Sequence, residues 1–178
     1  MNFYTLKCSQ YTEDLCRLEM EVLFGQQVDR KYFFSDRLIE PSRSPFLKER
    51  LGIIYEGDSV ASLVEQVLAD HFAADDFKVI YQKYDDREET YQERLKSEWE
   101  LGMAISGEAD IHHPKVIFAV TCVKGRWYFG TYARNDYRWH DHDKKPNTYC
   151  NSINFRVARA LVNIGVGIDT SRKLVDPC

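Results

Sequence analysis

One stretch limits the choice of fold more than any other. "KVIFAVTCVKGRWYFGTYA" sets two runs of branched and aromatic residues on either side of Lys124-Gly125. A two-residue connection containing glycine, which accepts positive φ without a steric penalty, predicts a tight antiparallel hairpin. Such a ribbon cannot bury itself, so the rest of the chain has to extend its sheet and cover it with helices.

The flanking sequence alternates between strand and helix periods. "FYTLKC" predicts a strand, and "TEDLCRLEMEVLFG" predicts a helix with Leu15, Cys16, Met20, Leu23 and Phe24 on one stripe and Gly25 as its stop. "RKYFFSDRLI" and "ERLGIIYEG" return to strands. "DSVASLVEQVLAD" predicts a second helix, capped by Asp58 or Ser59, with Leu63, Val64, Val67 and Leu68 on one side. With "FKVIYQKY" as a closing strand, the order β-α-β-β-α-β fits a ferredoxin-like split βαβ over residues 1–84.

A second unit is expected over 85–133. Thr90 and Glu93 have capping-box spacing, and Tyr91, Leu95, Trp99 and Met103 recur every four residues, which predicts a helix over about 90–105 ended by Gly107. Residues 134–151, "RNDYRWHDHDKKPNTYCN", mix rings with charges and have almost no aliphatic side chains, so they read as a linker or an exposed binding strip. From 152, "SINFRVARALVNIG" resumes helical spacing, with Ser152 as cap, Phe155, Ala158, Leu161 and Val162 as the buried side, and Gly165 as terminator.

Composition narrows the function classes. A chain of 178 residues with 44% apolar and 29% charged residues is built to fold, and its net charge of −4 gives no global field to attract a polyanion. Nucleic-acid binding therefore needs a local basic patch. The five cysteines show no CxxC spacing, which points to a reducing, cytoplasmic setting and away from a disulfide scaffold or zinc cluster. No apolar run reaches membrane-spanning length. His140 to Asp143 and Asp110, His112 and His113 carry metal-ligand types without a recognised spacing, so no metal is expected. A hydrolase has no support without a GxSxG elbow.

The carboxyl end carries a resemblance. "RVARALVNIG" followed by "KLVDPC" resembles the junction in the THUMP-containing RNA guanine-N2 methyltransferase family, where a helix leads into the first strand of a class I methyltransferase domain and then into DP(F/C)CG(S/T)GT. "SPFLKERLGIIYEGDS", "GEADIHHPKVIFAV" and "GRWYFG" resemble the amino-terminal and THUMP-like regions of bacterial RNA methylases in that group. The resemblance implies an α+β chain made of a ferredoxin-like unit and a THUMP-like α/β unit, with 152–178 as the helix and first strand of a methyltransferase domain cut before its glycine-rich cofactor loop. It implies a parent that uses S-adenosylmethionine, with Asp176, Pro177 and Asn154 as an incomplete part of its site. The piece itself lacks both the loop and an (N/D)PP(Y/F) motif, so it should hold no cofactor and catalyse nothing. Its partners would be structured RNA, above all tRNA, and the methyltransferase domain in cis.

Arginine and lysine meet phosphates, and aromatic rings stack on unpaired bases. The candidates for RNA contact are Arg126, Trp127, Arg134, Arg138, Trp139, Lys144, Lys145, Arg156 and Arg159, with Tyr137 as a further ring and Arg43, Lys48 and Arg50 as a second basic segment. Asp136, Asp141 and Asp143 offset much of that charge. The rival expectation is a module whose strip at 134–151 docks a protein and binds no RNA.

Overall fold

The computed structural model describes residues 1–28, 31–84, 89–138 and 153–175. The described elements are β1 (Asn2–Leu6), α1 (Glu13–Phe24), β2 (Tyr32–Ser35), β3 (Leu47–Gly57), α2 (Val60–Ala69), β4 (Phe77–Tyr81), α3 (Tyr91–Ala104), β5 (Val116–Val123), β6 (Arg126–Arg134) and α4 (Phe155–Val166). Short 3-10 turns at Gln10–Thr12 and Pro41–Arg43 lead into α1 and towards β3. No described helix is long and apolar enough to cross a membrane.

The chain forms two compact units. The first comprises Met1–Arg50 and Arg134–Cys178, the second Leu51–Ala133. This differs from the expected division at 84/85. β4 pairs with β5 in parallel, from Phe77↔Val116 to Tyr81↔Val120, so residues on both sides of 85 share one core.

In the first unit the strand order is β2-β1-β3, with β1 antiparallel to β2. Its core contains Tyr4, Cys16, Met20, Leu23, Phe24, Phe33, Phe46 and Leu47. Tyr4 and Phe33 stack at 5.2 Å, and Phe24 meets both rings edge-on at 4.8 Å. Tyr4 also donates its hydroxyl to the Arg37 carbonyl at 2.8 Å and accepts the Ile39 N–H at 2.9 Å, which satisfies a polar tip inside an aromatic cluster.

α4, expected at the start of a methyltransferase domain over 152–178, packs within this unit. Ala160 is fully buried in the core beside α1, and Asn163 is buried with it. Leu161 and Val162, expected inside, are about half exposed. The cap is Asn154, whose Oδ1 accepts the Arg156 N–H at 2.9 Å, and the helix runs through Gly165 to Val166. Ser152 lies outside the described residues.

The second unit orders its strands β3-β6-β5-β4. The hairpin is present: β5 and β6 are antiparallel from Phe118↔Thr131 to Val123↔Arg126, and Lys124 and Gly125 take φ of 52° and 83°. Two successive positive φ values give the turn whose twist matches the strands. Tyr55, Leu63, Val67, Phe77, Leu101, Phe118, Val120 and Phe129 form the core under α2 and α3.

α3 begins as expected, with Thr90 Oγ1 accepting the Glu93 N–H at 3.3 Å and Glu93 Oε2 accepting the Thr90 N–H at 2.7 Å. Its apolar row does not face the core. The helix buries Ser97, Leu101 and Ala104, while Tyr91, Leu95, Trp99 and Met103 face solvent. An i, i+4 row drifts round the helix, and the small residues at 97 and 104 permit close approach to α2 and β4. The helix ends at Ala104 with extended backbone at Ile105. Gly107 sits beyond it at φ 128°, where a Cβ would come within 2.1 Å of the Ala74 carbonyl oxygen.

Candidate functional site

The most heavily constructed region of the first unit is the segment Pro41–Leu47. Three side chains hold its backbone carbonyls. Asn135 Nδ2 reaches the carbonyls of Pro41, Ser44 and Leu47 at 3.0, 2.9 and 2.7 Å. Arg159 donates to Ser42 O at 2.7 Å and Arg43 O at 3.3 Å. Asn163 Nδ2 donates to Arg43 O at 2.9 Å. Arg43 returns Nε to Asn163 Oδ1 at 3.2 Å and Nη2 to Gly167 O at 2.8 Å.

Beneath these groups lies Glu19 of α1, fully buried. Its oxygens accept Asn163 Nδ2 at 2.5 Å and the Ser44 hydroxyl at 2.7 Å. Burial pushes its carboxyl up to about 7, against the lowering effects of both hydrogen bonds and of Arg159 and Arg43. Arg159 is lowered, first by its own burial. Cys16, one turn before Glu19, has its thiol raised by burial and by contact with Cys8.

A second group reaches the surface of the same unit. Tyr137, at φ 52°, is half-buried, and its hydroxyl is raised by burial while Arg134 and Arg156 pull it down and Glu49 pushes it up. Both guanidinium groups and the Glu49 carboxylate thus act electrostatically on the same hydroxyl. Among the described residues neither guanidinium has a carboxylate at ion-pair distance. The Asn135 side chain sets this geometry: its Oδ1 accepts the Tyr137 N–H at 2.9 Å while its Nδ2 holds the Pro41–Leu47 segment. Asp136 accepts from Ser42 Oγ at 3.0 Å and pairs with Arg138 at 3.5 Å. Hydrogen bonds from the Arg138 N–H and Ser42 lower its carboxyl.

The remaining candidates divide as follows. Arg43 and Arg159 bind backbone inside the first unit, and Arg50 pairs with Glu40 at 3.0 Å and reaches Asn2 at 3.4 Å. Lys48 stays half-exposed beside Glu49 at 3.3 Å. Arg126 lies in the second unit, held by Glu56 at 3.2 Å and Asp58 at 2.6 Å. Trp127 packs against that unit's core and meets Tyr81 edge-on at 6.2 Å. Trp139, Lys144, Lys145, Asp176 and Pro177 lie outside the described residues, as does His140 to Asp143. Asp110 Oδ1 accepts the N–H groups of His112 and His113, both at 2.9 Å, in a local turn that lowers its carboxyl.

Sequence reasoning missed Glu19, Ser44 and Asn135. Glu19 had a signal, since a carboxylate three residues after Cys16 and one before Met20 falls on the apolar stripe of α1. Asn135 had none, because the carbonyls it holds lie about 90 residues away in sequence.

No protein-family model matches the sequence, and no curated protein matches it. Solved structures do. A 4-thiouridine synthetase crystallised with RNA and ATP superposes at TM-score 0.50 and 13% identity, over 75% of this chain and 42% of that one. A Pyrococcus horikoshii protein superposes at 0.53 and 10% identity, over 76% and 56%. TrmN from Thermus thermophilus superposes at 0.55 and 14% identity, over 79% and 48%. The chain thus spans between 42% and 56% of the proteins it matches. At these identities the likeness is one of fold: a mixed α+β arrangement with an open sheet.

Proposed function

We propose that the chain is an RNA-binding, substrate-positioning module of an RNA-modifying enzyme. The observation that carries this proposal is that Arg134 and Arg156, neither at ion-pair distance from a described carboxylate, both act on the hydroxyl of the half-buried Tyr137. Two cations acting on one aromatic side chain suit a phosphate next to an unpaired base. The likeness in fold to a synthetase crystallised with RNA supports the same assignment. Lys144, Lys145 and Trp139 would extend the surface along 134–151.

The finer form of the proposal follows the sequence resemblance. The parent would be an S-adenosylmethionine-dependent tRNA guanine-N2 methyltransferase of the cytoplasm, whose catalytic domain acts in cis. Of the three residues assigned to its cofactor, Asn154 is described, and its Oδ1 is engaged as the cap of α4, which fits a structural role better than a cofactor ligand.

The test is fluorescence anisotropy with a tRNA transcript and a fully paired duplex over a range of salt. Arg134→Ala and Arg156→Ala should weaken both RNAs alike, and each should lower the log–log salt slope by about 0.7–0.9. Tyr137→Leu should weaken the tRNA more than the duplex, by about 1–3 kcal/mol if the ring stacks on a base. If none of the three variants changes RNA affinity, while Lys144→Ala or Trp139→Ala reduces association with a separately produced methyltransferase domain, the strip is a protein-docking linker and RNA binding is refuted.

A further inference from the structure

α3 carries its largest apolar side chains on the face turned away from the core of the second unit. Tyr91, Trp99 and Met103 are 68, 66 and 68% exposed, and Leu95 is 42% exposed. Beside this row runs a groove of about 470 Å³, lined by Val79, Leu95, Trp99, Met103 and Ile111 among others. Scattered surface hydrophobics are ordinary, whereas a continuous row bordering an apolar groove marks a contact surface.

The charges on either side of the row specify what covers it. On one flank Arg94 precedes Glu98 by a turn, and on the other Lys96 precedes Glu100, with Lys96 and Glu100 paired at 3.6 Å. Suppose two copies of α3 meet face to face and antiparallel about a two-fold axis level with Ser97. Tyr91 then lies against the second copy's Met103, and Leu95 against its Trp99. Each flank meets its own copy, so Arg94 approaches the second copy's Glu98 and Lys96 its Glu100, two opposite-charge contacts per flank against one like contact at the axis, Glu98 with Glu98 or Lys96 with Lys96. A parallel pair reverses the count, with Arg94 by Lys96 and Glu98 by Glu100 against one opposite contact, Lys96 with Glu98. The charges of the helix therefore favour the antiparallel pair over the parallel one.

We propose that the exposed face of α3 pairs antiparallel with the same face of a second copy of this chain. One helix face and its groove bury less than the roughly 1,200–2,000 Å² of stable complexes, so the dimer forms at micromolar concentrations or above. It is a property of the second unit and independent of RNA binding by the first.

Sedimentation velocity at low salt over a hundredfold range of concentration reads the proposal directly. The expected result is a reversible rise from one chain to two, abolished by Trp99→Glu. Glu98 holds the Tyr81 N–H at 2.6 Å, so the charge test uses the other flank. Lys96→Glu and Glu100→Lys should each weaken the dimer about tenfold, since each turns two attractive pairs repulsive. The double variant restores opposite signs across the interface and should return the wild-type constant. These side chains lie on the surface, and circular dichroism would verify that each variant is folded. A single chain at the highest concentration, a dimer indifferent to Trp99→Glu, or a double variant no better than the single ones would each overturn the proposal.

Discussion

Replacing Glu19 by glutamine should remove most of the pH dependence of stability between about pH 4.5 and 7. The carboxyl ionises at about 7 in the folded chain, against 4.5 for the free side chain, because burial outweighs the help from Ser44, Asn163, Arg43 and Arg159. Over that window the folded state holds a proton that the unfolded state has lost, so stability falls as pH rises, by about 1.4 kcal/mol per pH unit. The whole window amounts to about 3 kcal/mol, present below pH 4.5 and gone above 7. The carboxyls of Glu93, Asp110, Asp136 and Asp169 are lowered by exposed local hydrogen bonds, so they act in the opposite sense and at more acidic pH. Urea unfolding at half-unit steps from pH 5 to 8 tests this. Wild type should lose stability steadily to about pH 7 and then level, while Glu19→Gln should be flat. The same slope in both proteins, or a wild type whose stability rises across the window, would refute the account of Glu19.

Asn135→Ala should lower stability by about 3 kcal/mol, read as a shift in urea midpoint at constant slope, because the carbonyls of Pro41, Ser44 and Leu47 lose their shared donor in a buried place. It should also weaken RNA binding, since its Oδ1 positions the Tyr137 backbone. Gly130→Ala should prevent the second unit from forming its sheet: the added methyl would lie 1.9 Å from the Gly52 carbonyl oxygen, so β3 and β6 must part. Loss of the cooperative transition, or recovery only in inclusion bodies, is expected; a soluble variant of wild-type stability would contradict that contact.

Local chemistry made some of the fold legible. The hairpin could be read because Lys124-Gly125 needs nothing beyond its own backbone, and the start of α3 because Thr90 and Glu93 satisfy each other. α1 and α2 were legible through their stripes, which coincide with the buried Cys16, Met20 and Leu23 and with Leu63 and Val67. In α3 the row marked the helix without marking its buried face. Periodicity reports which large side chains share a face, but helices also dock through small residues, and here Ser97 and Ala104 are buried with Leu101 while Tyr91 and Trp99 are exposed. The pairing of β4 was not legible, because its partner is β5, with Phe77 opposite Val116, and nothing in "FKVIYQKY" names it.

The basic residues show a related limit, and it decides where RNA is expected to bind. Counting arginines in the sequence makes Arg43, Arg50, Arg126, Arg134, Arg156 and Arg159 equivalent, since each is an arginine near a ring or another cation. The fold separates them by what each guanidinium already touches. Arg43 and Arg159 hold carbonyls and lie over a carboxylate, where a phosphate would have to displace made hydrogen bonds. Arg50 and Arg126 face carboxylates, which repel a phosphate as strongly as the guanidinium attracts it. Arg134 and Arg156 pair with no described carboxylate at ion-pair distance, and both act on Tyr137, whose backbone Asn135 holds. In a chain of net charge −4, the cations that matter for a polyanion are those the fold has not already neutralised.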